Sequence, residues 1–483
     1  FFFGMSRITK YGPRVLCLTT AAAAATTAYN SQAAVAAKAE PKANQSIVVV
    51  GAGVVGLASA YYLSRAGHRV VCIEAKDDVG LVASYRNGAA FCPAMLTSWA
   101  SLSQCKVGVR ALFFGDKKFQ VEWNLFTDPK FWWWGIYYTL SCTPSISRSN
   151  TDTLQRLGLM SKACMAEMKS RHGGKLATHE GMYSTGLINV LDGADHLKQI
   201  TSTFQADNLA ALGHPFRHLE SNKDIRELES AVSSKWQYAT FNDTDTNGDA
   251  RVFCNDLMDL CKKQGVEFRF GTSVDNLVVA DGTISALKTS KGDVLSPDSV
   301  VLATGDSSSS MARIAGAFAP VYPVKGYVIE ARTATPLQNN FFYSGDAVLV
   351  VPHQKDKVRI SGYAEFRRAS CQNTDVDQAK AKRLFDYAAN IYEEGYLDWS
   401  TASTTCCHRP VSADDVPLIG PYGRISNLYI NSGHGSKGWT LAAASGKLLA
   451  DAVTTGHSAD LDLSLFDPNR FSIPGLLQKA IGG

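Results

Sequence analysis

Three glycines and one acid at fixed spacing are the residues best placed to do chemistry. Ile47-Val48-Val49-Val50 reads as a buried strand, and Gly51-x-Gly53-x-x-Gly56 follows it directly. The first glycine permits a tight turn, the second lets a pyrophosphate approach the backbone, and the third lets a helix pack closely on the strand. That helix is expected to begin at Leu57 and stop at Gly67, with the unpaired amides of its first turn facing two phosphates. Arg69 to Ile73 reads as the second strand. It delivers Glu74 roughly 20 residues past the motif, where a ribose hydroxyl can be accepted. A carboxylate there repels a 2′-phosphate, so NADP does not suit the site. Strand, helix, second strand and acid together indicate a dinucleotide site.

A second glycine loop lies far downstream. Asn427 to Asn431 reads as a strand, Gly433, Gly435 and Gly438 crowd the next turn, and an Ala-rich helix follows over Leu441 to Ala452. A helix N-terminus carries about half a positive charge. Aimed at a flavin's pyrimidine edge, it would stabilise the anionic reduced ring, a need that a nicotinamide does not have.

Other elements must hold these two loops together. Val300 to Gly305 reads as a buried strand beside the first one, ending in a glycine near the cofactor. Val266 to Phe270 and Val274 to Val279 are strand-like, with Gly282 at a turn. Val321 to Ile329, Ala347 to Pro352 and Lys357 to Tyr363 alternate over long runs and suit an antiparallel sheet in a second domain. Helical periodicity is expected over Thr151 to His172, Val252 to Lys263 and Asp377 to Glu394.

The composition of 483 residues, 45% apolar and 19% charged, is that of a globular chain with more than one core. A net charge of +4 with dispersed Lys and Arg gives no case for nucleic acid. Eleven cysteines without a Cys-x-x-Cys support neither a zinc site nor a thioredoxin-like couple, so no metal is expected. Cys406-Cys407 reads as buried packing. Asp243 to Asp249 resembles the first half of a calcium loop, but Cys254 stands where the bidentate carboxylate belongs, so a plain turn is expected. The aromatic-rich run Phe113 to Leu140 is expected as a pocket wall or packed helix, with peripheral membrane contact as the rival. Residues 1–40 lack acids before Glu40 and read as a targeting leader, mitochondrial in preference to secretory.

Taken together, these stretches resemble the FAD-dependent D-amino acid oxidase superfamily, and most closely the D-amino acid dehydrogenase small subunits. The resemblance rests on Val48 to Gly56, Val321-Tyr322-Pro323-Val324-Lys325-Gly326-Tyr327, Arg409-Pro410 and Asn431 to Thr440. It implies FAD held through Gly51, Ala52, Gly53, Val54, Val55 and Gly56, through Glu74, Ala75 and Lys76, and through Ser84, Asn87, Val274, Thr304 and Gly305. Gly433, His434, Gly435, Lys437, Gly438, Trp439 and Thr440 are the implied contacts of the second loop. Arg409 is the implied partner of a substrate carboxylate, with Lys325 and Tyr327 near flavin or substrate. Three positions depart from the family pattern. Cys407-His408 replaces Gly-Leu, Asp414-Asp415 stands where Asp-Gly is common, and Tyr85-Arg86 replaces small residues.

The implied fold class is α/β, α+β overall. A discontinuous Rossmann-like FAD-binding domain is expected at 45–105, 250–310 and 405–460. A substrate domain on an antiparallel sheet takes 106–249 and 311–404, and a tail takes 461–483. The implied activity is oxidation of a D-amino acid by hydride transfer from Cα to flavin N5, giving a 2-oxo acid and ammonia. The electron acceptor would be a quinone or an electron-transfer flavoprotein. Oxidation of a secondary amino acid such as proline or sarcosine, or a flavin-bound subunit without turnover, are the alternatives.

Overall fold

The computed structural model describes residues 44–116, 119–174, 176, 186–371 and 373–471. The expected leader and the residues after 471 lie outside them. In chain order the elements that matter for the site begin with β1 (Ser46–Val50), α1 (Val54–Arg65) and β2 (Arg69–Ile73). Three helices follow, α2 (Leu102–Phe114), α3 (Pro129–Ser141) and α4 (Pro144–Arg171). Next come α5 (Ala250–Lys263), β3 (Glu267–Arg269), β4 (Ser299–Leu302), β5 (Val321–Thr333), β6 (Lys357–Phe366), α6 (Gln378–Ala389) and β7 (Leu397–Ser412). The described chain closes with β8 (Leu418–Pro421), β9 (Leu428–Ser432) and α7 (Gly438–Thr454).

Two large sheets organise these elements. The first runs β8-β9-β4-β1-β2-β3, parallel except for β8. Its central strand is buried on both faces, which is why β1 is a run of branched residues and not an alternating one. Ile47 and Val49 join the core beneath α1, α4, α5 and α7. Val48 and Val50 join a second core that takes Trp134 and Tyr137 from α3. Helix α7 crosses α1 so closely that a Cβ on Gly446 would lie 2.5 Å from the Ala58 carbonyl carbon.

The second sheet is mixed and mainly antiparallel, with β7-β5-β6 at one end. It has its own core, roofed by Leu384 and Phe385 of α6. β7 runs 16 residues without a break and pairs with β5 from Val321↔Ser412 to Thr333↔Leu397. It therefore passes straight through the domain boundary expected at 404 and 405. Helix α1 begins at Val54, a turn earlier than expected, because Gly53 takes the extended N-cap position. The run from Phe113 to Leu140 is not simply packed. Helix α3 buries Trp134 and Tyr137 and leaves Trp132, Trp133, Ile136 and Leu140 exposed.

Candidate active site

The glycine motif builds one end of a cavity of about 1370 Å³ between the two sheets. Gly51 has φ +105, and a Cβ there would sit 2.5 Å from the Ala303 carbonyl oxygen, so only glycine fits. A Cβ on Gly56 would meet the Gly51 oxygen at 1.9 Å. The chain thus turns directly from β1 into α1, whose N-terminus opens on the cavity. Glu74 lies beside it, its carboxylate fixed by the amides of Ala52 (2.7 Å) and Lys76 (2.9 Å). Ser84 Oγ accepts from the Val54 amide at 3.0 Å, and Asn87 folds its own loop by accepting from the Ala89 amide.

The second loop supplies another wall. α7 begins at Gly438 without a side-chain cap and without an acid in its first turn, and the same is true of α1. By contrast α5 and α6 are capped by Asp249 and Asp377. Two helix N-termini on one cavity, neither with an acid in its first turn, match a ligand with a diphosphate and a reducible, anion-forming ring. With the Glu74 carboxylate held at the end of the second strand, these features fit FAD, and the cavity is large enough to hold a small substrate beside it.

Lys437 is buried behind this loop and donates to Asp415 Oδ2 at 2.5 Å. Asp415 also accepts from the Trp99 amide at 2.7 Å. Burial raises the Asp415 carboxyl pKa, and the neighbouring lysine opposes that rise. Asp415 adopts φ +67, the left-handed region that favours glycine. Burial pushes the His434 imidazole down to about 3, assisted by the Lys437 charge, so it stays neutral and contacts Ser445 Oγ at 2.9 Å.

Arg409 stands on β7 at the edge of the same cavity. Its Nη1 donates to the Tyr363 carbonyl at 2.5 Å and its Nη2 to the Gly362 carbonyl at 3.2 Å. Those carbonyls are turned toward it by an irregularity where β6 pairs with β5, and Tyr363 sits there at φ +58. A left-handed tyrosine is a strained residue, and such strain concentrates at ligand sites. Beneath the guanidinium lies Gly326, where a Cβ would fall 2.4 Å from Arg409 Cζ. Burial lowers the Arg409 pKa and the two adjacent thiols act against that, but a guanidinium remains charged. Donors beyond the two engaged ones are available to a carboxylate.

Most of the sequence-derived residues line this one cavity: Gly51, Gly53, Val54, Val55, Glu74, Ala75, Lys76, Ser84, Asn87, Val274, Thr304, Gly305, His434, Gly435, Lys437, Gly438, Trp439, Thr440 and Arg409. Ala52, Gly56 and Gly433 sit behind the wall and shape it. Lys325 and Tyr327 do not reach it. Val328 of β5 lines the cavity and Gly326 lies against Arg409, so the alternate residues Lys325 and Tyr327 turn to the opposite face of the sheet. There Lys325 Nζ donates to the Asp375 carbonyl at 2.5 Å and Tyr327 packs in the core under α6.

Sequence reasoning missed Asp306, which lies on the cavity and contacts His408 Nδ1 at 3.2 Å. It also missed the carbonyls of Gly362 and Tyr363. The Asp243–Asp249 stretch does structural work, with Asp249 capping α5 and Asp245 accepting from the Ala94 amide.

Residues 46–452 match the DAO family, described as FAD dependent oxidoreductase. A D-amino acid dehydrogenase of Paramagnetospirillum magneticum is 31% identical over 420 residues, covering 86% of this chain and 96% of that protein. D-amino acid dehydrogenase 2 of Mesorhizobium japonicum is 31% identical over 424 residues, covering 86% and 98%. Among solved structures, L-proline dehydrogenase of P. horikoshii superposes with a TM-score of 0.68 at 17% identity, covering 89% of this chain and 98% of that one. Glycine oxidase of Geobacillus kaustophilus gives 0.65 at 20% identity, covering 89% and 99%. The curated relatives are bacterial, and bacteria have no mitochondria. That overturns the mitochondrial location and transit peptide expected from the leader.

Proposed function

The chain belongs to the DAO family of FAD dependent oxidoreductases, and from that premise we propose that it is a dehydrogenase of D-amino acids, yielding 2-oxo acids and ammonia. The observation that carries the reading is Arg409, held over Gly326 by two backbone carbonyls and opening on the cavity that Glu74 and the two glycine loops enclose. FAD, when bound there, supplies the acceptor for the hydride leaving the substrate's Cα.

The protein's own residues position and stabilise. Arg409 binds the substrate carboxylate with parallel donors, which fixes the orientation of Cα. Gly51, Gly53 and the first turn of α1 would hold the diphosphate, and Glu74 would hold the ribose. The first turn of α7 would supply positive potential at the cavity wall, which suits a ring that gains negative charge on reduction. A substrate whose amine binds neutral needs no side-chain base, and the imino acid formed hydrolyses in water. We assign 45–105, 250–310 and 405–460 to the FAD domain and 106–249 with 311–404 to the substrate domain, although one strand spans the last boundary.

Electrons leave to a carrier other than oxygen, a quinone or an electron-transfer flavoprotein; similarity to proteins named D-amino acid dehydrogenase supports this. The test is steady-state turnover of D-amino acids with an artificial acceptor and with oxygen alone. The proposal expects rapid turnover only with the acceptor, and equal rates would contradict it.

A further inference from the structure

Cys105 and Cys142 bring their sulfur atoms to 3.0 Å, about 1 Å beyond the ~2.05 Å of a covalent S–S bond. Cys105 lies in the first turn of α2, and Cys142 is the C-cap of α3. Both are free thiols. The two helices are anchored very differently. α3 is fixed in the core by Trp134 and Tyr137, and Trp134 Nε1 donates to the Val411 carbonyl at 3.0 Å. Of the 13 residues of α2, Ala111 alone is buried. Yet Ser103, Gln104 and Val107 of α2 line the cavity, so this loosely held helix is part of its wall. A helix with so few buried contacts opens locally at low free-energy cost.

We propose that Cys105 and Cys142 form a reversible disulfide, which pins α2 to α3 and restricts entry to the cavity. The link would tie the least anchored piece of the wall to a helix seated in the core. By contrast, Cys406 turns to the core and Cys407 to the cavity, so that adjacent pair points apart across its strand.

Burial sets the order of the chemistry. Cys105 is part-exposed and Cys142 is buried. Burial pushes the Cys142 pKa up and the neighbouring Cys105 sulfur adds to the rise, so Cys142 stays a thiol while Cys105 meets an oxidant first. The oxidant is a small disulfide, RSSR. The Cys105 thiolate attacks one of its sulfurs, and a mixed disulfide forms as one RS⁻ leaves. Cys142 then gives up its proton, attacks the Cys105 sulfur and expels the second RS⁻. Two electrons pass from the protein thiols to RSSR, and their two protons complete two RSH. The effect on substrate entry rests on the dehydrogenase reading, but the cross-link does not.

The test takes the full-length, FAD-loaded protein, either reduced with dithiothreitol or equilibrated with excess glutathione disulfide. Non-reducing peptide mass spectrometry should find Cys105 joined to Cys142 in the second sample, and dithiothreitol should reverse the link. Trypsin reads the pinning without turnover, because Arg110 lies on α2 more than a turn past Cys105. Cleavage after Arg110 in the folded protein should be at least about tenfold slower in the oxidised form. Anaerobic flavin reduction at low D-amino acid concentration should slow at least about threefold on oxidation and recover with dithiothreitol. Cys105→Ser, at the part-exposed site, and Cys142→Ser, at the buried one, should each respond to neither reagent. No Cys105–Cys142 peptide, a stable glutathione adduct on Cys105 in its place, or a linked protein cut after Arg110 as fast as the reduced one would overturn the proposal. Slower cleavage without slower flavin reduction would overturn the role in entry. In each of those cases flavin reduction by D-amino acids in the reduced protein leaves the dehydrogenase reading standing. Its absence, with the link intact, would count against that reading and not against the disulfide.

Discussion

Arg409 and Gly326 act as one unit, because the guanidinium occupies the volume that any side chain at 326 would fill. Arg409→Ala should weaken substrate binding by roughly 2–5 kcal/mol, read as a rise in KM or in the substrate dissociation constant from flavin titration. Unchanged affinity would remove Arg409 from the site. Gly326→Ala should reproduce part of that loss by displacing the guanidinium, while FAD content stays at wild-type level. His434 gives a prediction in pH. Its imidazole titrates near 3 when folded and near 6.5 when unfolded, so the unfolded chain binds the extra proton between those values. Its contribution is complete above pH ~6.5 and is lost as pH falls toward 3, with a slope of up to about 1.4 kcal/mol per pH unit. Thermal melts of FAD-saturated wild type and His434→Asn from pH 7 to 5 should therefore converge on acidification, and parallel curves would contradict the assignment.

At the level of elements, what is local in sequence was legible and what depends on register was not. The glycine motif, β1, β2 and the glycine loop before α7 could be read because turn geometry and burial on both strand faces leave direct marks on composition. β7 could not. Its Ser- and Thr-rich first half is part-exposed, and it becomes a strand only by pairing with β5. The same pairing decides that Arg409 faces the cavity while Lys325 and Tyr327 face away, a parity that motif resemblance cannot supply. Tyr363 shows the limit most plainly, since its left-handed backbone is imposed by an irregular pairing and nothing about tyrosine announces it. The α1–α7 crossing carries its own prediction. Gly446→Leu should force these helices apart, lowering stability by about 1–3 kcal/mol or more and releasing FAD, measured by melting and by flavin retention on a desalting column. A variant that melts and retains FAD like wild type would show that the contact is not needed.

Across the whole molecule, the chain passes repeatedly between two sheets so that loops distant in sequence meet over one cavity. The class of cofactor was readable from the two helix starts, and membership of the family of FAD dependent oxidoreductases agrees with it. The leader's composition misled, because an acid-poor, Ala-rich segment does not by itself specify an organelle. The most direct test of the central claim is anaerobic addition of D-amino acids, L-amino acids and N-methyl amino acids to the purified yellow protein, followed near 450 nm. The account predicts rapid bleaching by D-amino acids, and its loss at the same concentrations in Arg409→Ala. No bleaching by any D-amino acid, or bleaching indifferent to Arg409, would contradict it.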